Sequence, residues 1–305
     1  MTTPIVTVAV CTLNRVDVLK DCLVSLRKQT IPHSEYQVLV VDNGSTDATK
    51  EVVESLAREF DNLRYIYEPV TGLSRAKNTA LAQTTTRYIA YPDDDTIPCE
   101  DWLEELLKPF SLSIRPAVVG GELDPVWEIP RPKWLADEFL HLYSVCLHWD
   151  TEPRPITDRE WLCEANTAFE VKALAAAGGF CENLDRRGHL LLSGGNFVND
   201  IIRERGGCLY YTPKARVWHR ISKSRLNPDW LRQRYFWGGV TSSVIMFERQ
   251  RLFGSGTPWM DLVLPSTHND WAAMMNPDPD AHLQEHVTWL YNLGWLLHRK
   301  GLIAA

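Results

Sequence analysis

The 305-residue sequence lacks the features of several protein classes. Its seven cysteines are an odd number, and no two of them form a Cys-x-x-Cys pair. This pattern argues against a disulfide framework or a cysteine zinc cluster and predicts reduced thiols. Aspartate and glutamate (39) outnumber lysine and arginine (32), for a net charge of −7. Because general nucleic-acid-binding proteins carry a basic surface, we expect no nucleic-acid partner.

Segments that direct a chain into or across a membrane are also missing. No apolar run reaches 18 residues, and the N-terminus lacks the basic and apolar regions of a signal peptide. We therefore predict a cytoplasmic protein without a membrane-spanning helix. The sequence contains neither Gly-x-Gly-x-x-Gly nor Gly-x-x-x-x-Gly-Lys-Ser/Thr. A dinucleotide-binding fingerprint and a P-loop are thereby excluded.

An acidic segment is present instead. Three consecutive carboxylates, Asp93 to Asp95, follow the apolar run 88–91 and are flanked by Pro92 and Pro98. Carboxylates this close repel one another unless water or a cation relieves the repulsion. Mg²⁺ is usually bound by one or two carboxylates together with substrate phosphates. The segment predicts a metal and phosphate site at the end of a strand, with a solvated acidic turn as the alternative.

The N-terminal third alternates apolar runs with segments of helical periodicity. The predicted strands are 5–11, 38–41, 63–67 and 87–91, and the predicted helices are 17–29, 46–60 and 73–82. This alternation predicts an α/β fold with a mostly parallel sheet wound on both faces. Ligands of such sheets bind beyond the carboxyl ends of the strands. We therefore expect the polar segments 12–15, 42–47 and 93–95 to converge on one crevice.

Four motifs occur in order at these strand ends. They are Val-Ala-Val-Cys-Thr-Leu-Asn-Arg (8–15), Val-Val-Asp-Asn-Gly-Ser-Thr-Asp (40–47), Gly-Leu-Ser-Arg-Ala-Lys-Asn (72–78) and Asp-Asp-Asp (93–95). With them the chain resembles a family 2 glycosyltransferase with the GT-A fold, over roughly residues 4–222. The resemblance implies metal-dependent transfer of a sugar from a nucleotide diphosphate sugar, UDP- or GDP-linked, to an acceptor with inversion.

The resemblance also implies roles for individual residues. It places Asp42 at the base, Asp93 at the ribose, and Asp95 on a Mg²⁺ or Mn²⁺ ion that stabilises the leaving diphosphate. His219, expected after a late strand, is implied as a further metal ligand, with a structural histidine as the alternative. The other residues implied to bind the nucleotide sugar are Cys11, Leu13, Arg15, Arg75 and Asp94.

The sequence departs from the family at the general base. The family has Glu-Asp at the start of a helix facing the acceptor, whereas the matching segment 192–200 has Gly195 and Asn196 there. Asparagine does not accept a proton usefully near neutral pH. Asp200, on the helical face of Asn196, and Glu164, from another loop, are the candidate carboxylates for the general base. Otherwise the reaction needs no strong base, or the chain binds nucleotide sugars with lost or altered catalysis.

The resemblance and the remaining pattern together divide the chain. We predict a GT-A domain over 1–222, with a nucleotide-sugar-binding half over 1–115 and an acceptor half over 116–222. A C-terminal helical extension follows over 223–305. Basic side chains near a predicted helix over 227–250 leave open a peripheral contact with the inner face of the membrane, or a homodimer.

The partners and the reaction class stay partly open at this level. Besides the nucleotide-sugar donor, an acceptor glycan, a lipid-linked sugar, a natural product and a peptide all fit. A nucleotidyltransferase is the alternative enzyme class, since it also joins a parallel sheet to carboxylates and Mg²⁺. The lack of a glycine-rich basic loop after the first strand counts against that alternative.

Overall fold

The computed structural model describes residues 4–145, 149–187, 190–191, 194–254 and 283–304. The chain forms two compact units, each built from segments that are separate in sequence. The first unit comprises Met1–Val126, Asp137–Cys181 and Gly195–Arg220, and the second comprises Trp127–Ala136, Glu182–Gly194 and Ile221–Ala305.

Strands and helices alternate along the N-terminal part of the chain. The strands are β1 (Val6–Thr12), β2 (Tyr36–Asp42), β3 (Leu63–Tyr67), β4 (Tyr88–Pro92), β5 (Thr96–Pro98), β6 (Val118–Trp127), β7 (Arg154–Pro155), β8 (Asn166–Glu170), β9 (Arg186–Arg187), β10 (Leu190–Leu191) and β11 (Leu209–Ile221). The α-helices are α1 (Val16–Arg27), α2 (Thr49–Ala57), α3 (Leu73–Gln83), α4 (Trp102–Leu107), α5 (Val171–Ala177), α6 (Gly195–Glu204), α7 (Pro228–Phe253) and α8 (Leu283–Arg299).

The parallel part of the main sheet has the strand order β3-β2-β1-β4. Strand β1 is buried along almost its whole length, which explains its nearly continuous apolar sequence. The chain adds β2 and β3 on one side of β1 and then β4 on the other, so the direction of winding reverses between β1 and β4. Such a switch point opens a crevice at the carboxyl ends of the two strands.

The rest of the main sheet is antiparallel. Strand β8 pairs with β4, and this pairing sets Asn166 opposite Pro92. Strand β6 pairs with β8, and β11 pairs with β5 so that His219 lies opposite Thr96. Residues that are 70 or more positions apart in the chain are thereby brought to the acidic segment that follows β4.

The side chain of Asn166 holds the antiparallel part together. Its Nδ2 donates to the carbonyl oxygens of Glu122 (2.9 Å) and Ala215 (2.7 Å), and its Oδ1 accepts from the indole of Trp102 (2.7 Å). Asn166 is fully buried. Because these bonds use all the buried polar atoms of the amide, they fix β8 relative to its neighbours without an unsatisfied group.

The second unit contains a pair of closely packed helices, α7 and α8. Asn227 caps α7, since its Oδ1 accepts from the Trp230 amide at 2.8 Å. A Cβ atom on Gly239 would lie 1.8 Å from the carbonyl oxygen of Tyr291, so the two backbones touch there. Within the described ranges, none of the helices combines the length and the apolar character needed to cross a bilayer.

Candidate active site

The acidic segment forms a tight turn between β4 and β5. The backbone carbonyl of Asp93 accepts from the amide (3.1 Å) and the hydroxyl (2.7 Å) of Thr96. Asp94 and Asp95 are buried, and Asp93 is half-buried. The turn therefore presents three carboxylates at the switch point of the sheet, two of them removed from water.

Residues from the end of β1 compensate the two buried carboxylates. Arg15 donates from Nη1 to Asp94 and from Nη2 to Asp95, each at 2.6 Å. Thr12 donates its hydroxyl to the other Asp94 oxygen at 2.8 Å. Burial raises the pKa of Asp94. The guanidinium of Arg15 opposes that rise, so Arg15 compensates the buried charge of the acidic turn.

The segment after β2 joins the same cluster through Asn14. The Asn14 amide donates to the Ser45 hydroxyl at 2.9 Å, and the Thr46 amide donates to the Asn14 side chain at 2.7 Å. Asn14 has a left-handed φ of 53°, which asparagine tolerates better than most residues. The three polar segments thus meet at one edge of the sheet, as their positions after neighbouring strands led us to expect.

Three potential ligands for a cation lie at this edge. Asp93, Asp95 and His219 each offer one atom, and these atoms lie within 4.8 Å of one another. His219 Nε2 is 3.4 Å from Asp95, and its Nδ1 is buried with no hydrogen-bond partner. His219 lies within β11, not after the strand as expected. Carboxylate oxygens and an imidazole nitrogen suit a divalent cation.

Asp42 and Arg75, expected at the nucleotide, both take part in hydrogen bonds of the scaffold. Asp42 accepts from the Ser45 amide and from the Tyr65 hydroxyl, each at 2.8 Å. Burial, together with this bond to Asp42, raises the pKa of Tyr65, which keeps the hydroxyl a donor. Arg75 donates to Glu68 at 3.3 Å. The carboxylate of Asp42 stabilises the turn that follows β2. Arg75 is half-exposed near the start of α3.

Cys11 and Leu13 flank the end of β1. Burial raises the pKa of the Cys11 thiol to about 12, so this cysteine is neither a nucleophile nor a metal thiolate near neutral pH. Leu13 is 36% exposed and follows the strand directly. An exposed apolar side chain beside the crevice can contact a ligand, whereas Cys11 offers only its backbone and a neutral sulfur.

The two candidate bases have different surroundings. Glu164 receives a hydrogen bond from Lys77 Nζ at 2.9 Å, and its side chain lies against Gly195 at the start of α6. Asp200, one turn further along α6, lies 3.6 Å from Arg203. Leu192 and Ser193, which begin the segment that matches the family's acidic motif, lie outside the described residues.

Two polar residues of this region escaped the sequence analysis. Lys77, named above only within the motif 72–78, is buried and only 2% exposed. Lys77 lies three residues from both Ser74 and Ala80, which are buried too, so it belongs to the inward face of α3. Asn199 is buried on α6, and both of its side-chain polar atoms are without hydrogen-bond partners. No pattern in the sequence marks it.

Comparison with known proteins places the chain in one family. The family model described as Glycosyl transferase family 2 matches residues 7–168, which is just over half of the chain. Glycosyltransferase AglE from Haloferax volcanii is 36% identical over 124 residues, covering 40% of each protein. The glucosyl-dolichyl phosphate glucuronosyltransferase of the same organism is 23% identical over 269 residues, covering 87% of this chain and 80% of that protein.

A solved structure extends the match to the whole fold. The mannosyltransferase PcManGT from Pyrobaculum calidifontis, in complex with GDP-Man and Mn²⁺, superposes with a TM-score of 0.63 at 20% identity. The superposition covers 98% of this chain and 87% of that one. The predicted α/β GT-A fold with C-terminal helices is thereby confirmed.

Proposed function

Because the chain belongs to glycosyl transferase family 2, we propose that it uses a divalent cation to transfer a sugar from a nucleoside diphosphate sugar to an acceptor hydroxyl with inversion. The grouping of Asp93, Asp95 and His219 beside the switch point of the sheet carries this proposal. Asp93 and Asp95 belong to the turn after β4, and His219 lies within β11. Family membership favours sugar transfer over the nucleotidyltransferase alternative.

The chemistry of the ligand set favours Mn²⁺ over Mg²⁺. Mg²⁺ prefers oxygen ligands and keeps several waters, whereas Mn²⁺ accepts an imidazole more readily. The buried Nδ1 of His219 and the 3.4 Å approach of its Nε2 to Asp95 fit a ring that faces a cation. A bound cation supplies Lewis-acid stabilisation of the leaving diphosphate.

The donor occupies the crevice between β1 and β4 in this proposal. Leu13 and the backbone of Cys11 border the nucleotide, and Asp93 lies where the ribose or the cation binds. Arg75, half-exposed near the N-terminus of α3, stands where a helix end favours phosphate. The sequence leaves the base open between uridine and guanosine, so both nucleotides belong in the first test.

The acceptor class is open to experiment. A relative whose name includes glucosyl-dolichyl phosphate aligns over most of this chain, and it supports a lipid-linked sugar as the first acceptor to examine. A lipid-linked acceptor also accommodates the peripheral membrane contact and cytoplasmic location predicted above. The anomeric configuration of the first product, measured by proton NMR, tests inversion directly.

Calorimetric titration of UDP and GDP, each with Mn²⁺ and with EDTA, tests the donor and cation assignments. We expect one nucleotide to bind only with the cation, and Asp95→Asn to weaken that binding at least about tenfold, because a ligand carboxylate is lost. Asp61→Asn, an exposed aspartate in the α2–β3 loop, is the matched control. Binding that ignores EDTA, or an Asp95→Asn affinity equal to that of the control, contradicts the cation site.

A further inference from the structure

Gly195 is a buried residue at the start of α6, the position at which the resemblance to the family implies an acid. A Cβ atom built on Gly195 would lie 1.9 Å from Cδ of Glu164 and 2.0 Å from its Oε1. These distances are far below van der Waals contact, which is about 3.5 Å between carbon atoms. The carboxyl group of Glu164 therefore occupies the space that a side chain at position 195 would need.

Lys77 anchors this carboxyl group from the opposite side. Its ammonium donates to Oε2 of Glu164 at 2.9 Å and packs over the rings of Phe180 (5.3 Å) and Tyr91 (5.8 Å). Lys77 is buried, and a buried ammonium needs a paired anion. Oε2 is thus held by Lys77, while Oε1 points to the start of α6.

The anchored carboxylate belongs to the crevice that holds the acidic turn. Burial lowers the pKa of Lys77, but the charges of Glu164 and Asp93 raise it above its usual value, so both carboxylates lie within electrostatic reach of one ammonium. Glu164 precedes β8 by two residues, and the pairing of β8 with β4 sets Asn166 opposite Pro92, next to Asp93. A carboxylate from a different loop therefore stands at the acceptor motif and close to the donor site.

We propose that Glu164 is the general base, its carboxylate supplied from the β7–β8 loop in place of the acid missing at position 195. This assignment rests on the proposed function. Oε1 takes the proton of the acceptor hydroxyl while the hydroxyl oxygen forms a bond to the anomeric carbon. The bond from that carbon to the diphosphate oxygen breaks, and its electron pair leaves with the nucleoside diphosphate. Lys77 is a positioning residue that holds the carboxylate of Glu164, and Gly195, which has no side chain, leaves room for that carboxylate.

Glu164→Gln tests the assignment, because glutamine keeps the shape and can still accept from Lys77 but does not take up a proton. Release of UDP or GDP from UDP-glucose and GDP-mannose is measured with Mn²⁺, and donor affinity is measured by calorimetry. We expect the turnover rate to fall at least about 100-fold. We expect the donor Kd to stay within about threefold, and azide to restore part of the rate in Glu164→Ala.

A glutamate that forms an ion pair outside the crevice provides the matched control. Glu170→Gln removes the charge from the pair that Glu170 forms with Arg87 at 3.6 Å, and its turnover should stay within about twofold of the wild type. A double variant provides a second test if Glu164→Gln folds poorly. The exchange of Gly195→Glu together with Glu164→Gly returns the carboxylate to α6. We expect the turnover rate of this double variant to be at least about tenfold higher than that of Glu164→Gly alone.

The outcomes separate this assignment from the proposed function. If the wild type binds neither UDP nor GDP with Mn²⁺, both fail. If the wild type turns over a donor while Glu164→Gln keeps its rate, or if Asp200→Asn alone removes the rate, only the assignment of Glu164 fails. A parallel loss of donor affinity and rate in Glu164→Gln, without azide rescue, makes Glu164 a structural partner of Lys77 and also overturns the assignment.

Discussion

Replacing Arg15 with alanine tests how the acidic turn tolerates its own charge. Arg15 spans Asp94 and Asp95 with two hydrogen bonds of 2.6 Å. The side chains of the two aspartates are only 5% and 3% exposed, whereas that of Arg15 is 38% exposed. Without the guanidinium, two neighbouring carboxylates remain buried, and water reaches them poorly.

The magnitude follows from this burial. Removing one partner of a fully buried ion pair costs about 3–5 kcal/mol, and an exposed pair contributes about 0.2–1 kcal/mol. Because Arg15 is partly solvated, we expect Arg15→Ala to lower the free energy of unfolding by about 2–3 kcal/mol when no divalent cation is present. Arg27→Ala removes an exposed pair with Glu59 and should change stability by less than about 1 kcal/mol.

The assay is urea denaturation of the wild type and both variants, each with EDTA and with saturating Mn²⁺. A cation that binds the native state adds about 2.7 kcal/mol at a hundred times its Kd. We expect Mn²⁺ to stabilise Arg15→Ala more than the wild type, because the cation then supplies the missing positive charge. Equal losses for Arg15→Ala and Arg27→Ala, or an equal gain from Mn²⁺ in all three proteins, would refute the reasoning.

Two further predictions concern stability. Asn199→Leu should raise the free energy of unfolding by about 1–2 kcal/mol, because both polar atoms of its buried amide are without hydrogen-bond partners. Asn166→Leu should lower the free energy of unfolding by more than about 2 kcal/mol in the same denaturation series, because the amide of Asn166 is fully hydrogen-bonded. Hydrogen bonds from Arg154 hold the pKa of Glu160 at about 2, below its usual 4.5, so this pair stabilises the fold fully above pH 4.5 and loses that effect as pH falls towards 2. Arg154→Gln should lower the free energy of unfolding above pH 4.5 and flatten its pH dependence below that value. A stability profile identical to that of the wild type would contradict the pairing, and a destabilised Asn199→Leu would contradict the first prediction.

Local sequence patterns predict most strands and helices of the first 100 residues, apart from the short strand β5. Apolar runs and helical periodicity predict β1 to β4 and α1 to α3, with ends that differ from the observed ones by at most three residues. The largest difference is α2, predicted over 46–60 and observed over Thr49–Ala57. The four motifs sufficed to name the family, and the family match and the fold confirm it.

Which residues face one another in the crevice depends on strand pairing and packing. The antiparallel pairing of β8 with β4 brings Glu164 to the acidic turn, and nothing local to Glu164 encodes that neighbour. Gly195 and Glu164 are 31 positions apart in the chain. The sequence therefore shows only that an acid is missing at position 195, whereas the structure shows the carboxyl group of Glu164 in that space. Arg15 likewise meets Asp94 across 79 positions. Periodicity and strand-end position come from adjacent residues, whereas a shared pocket arises from strand pairing and packing across the whole sheet.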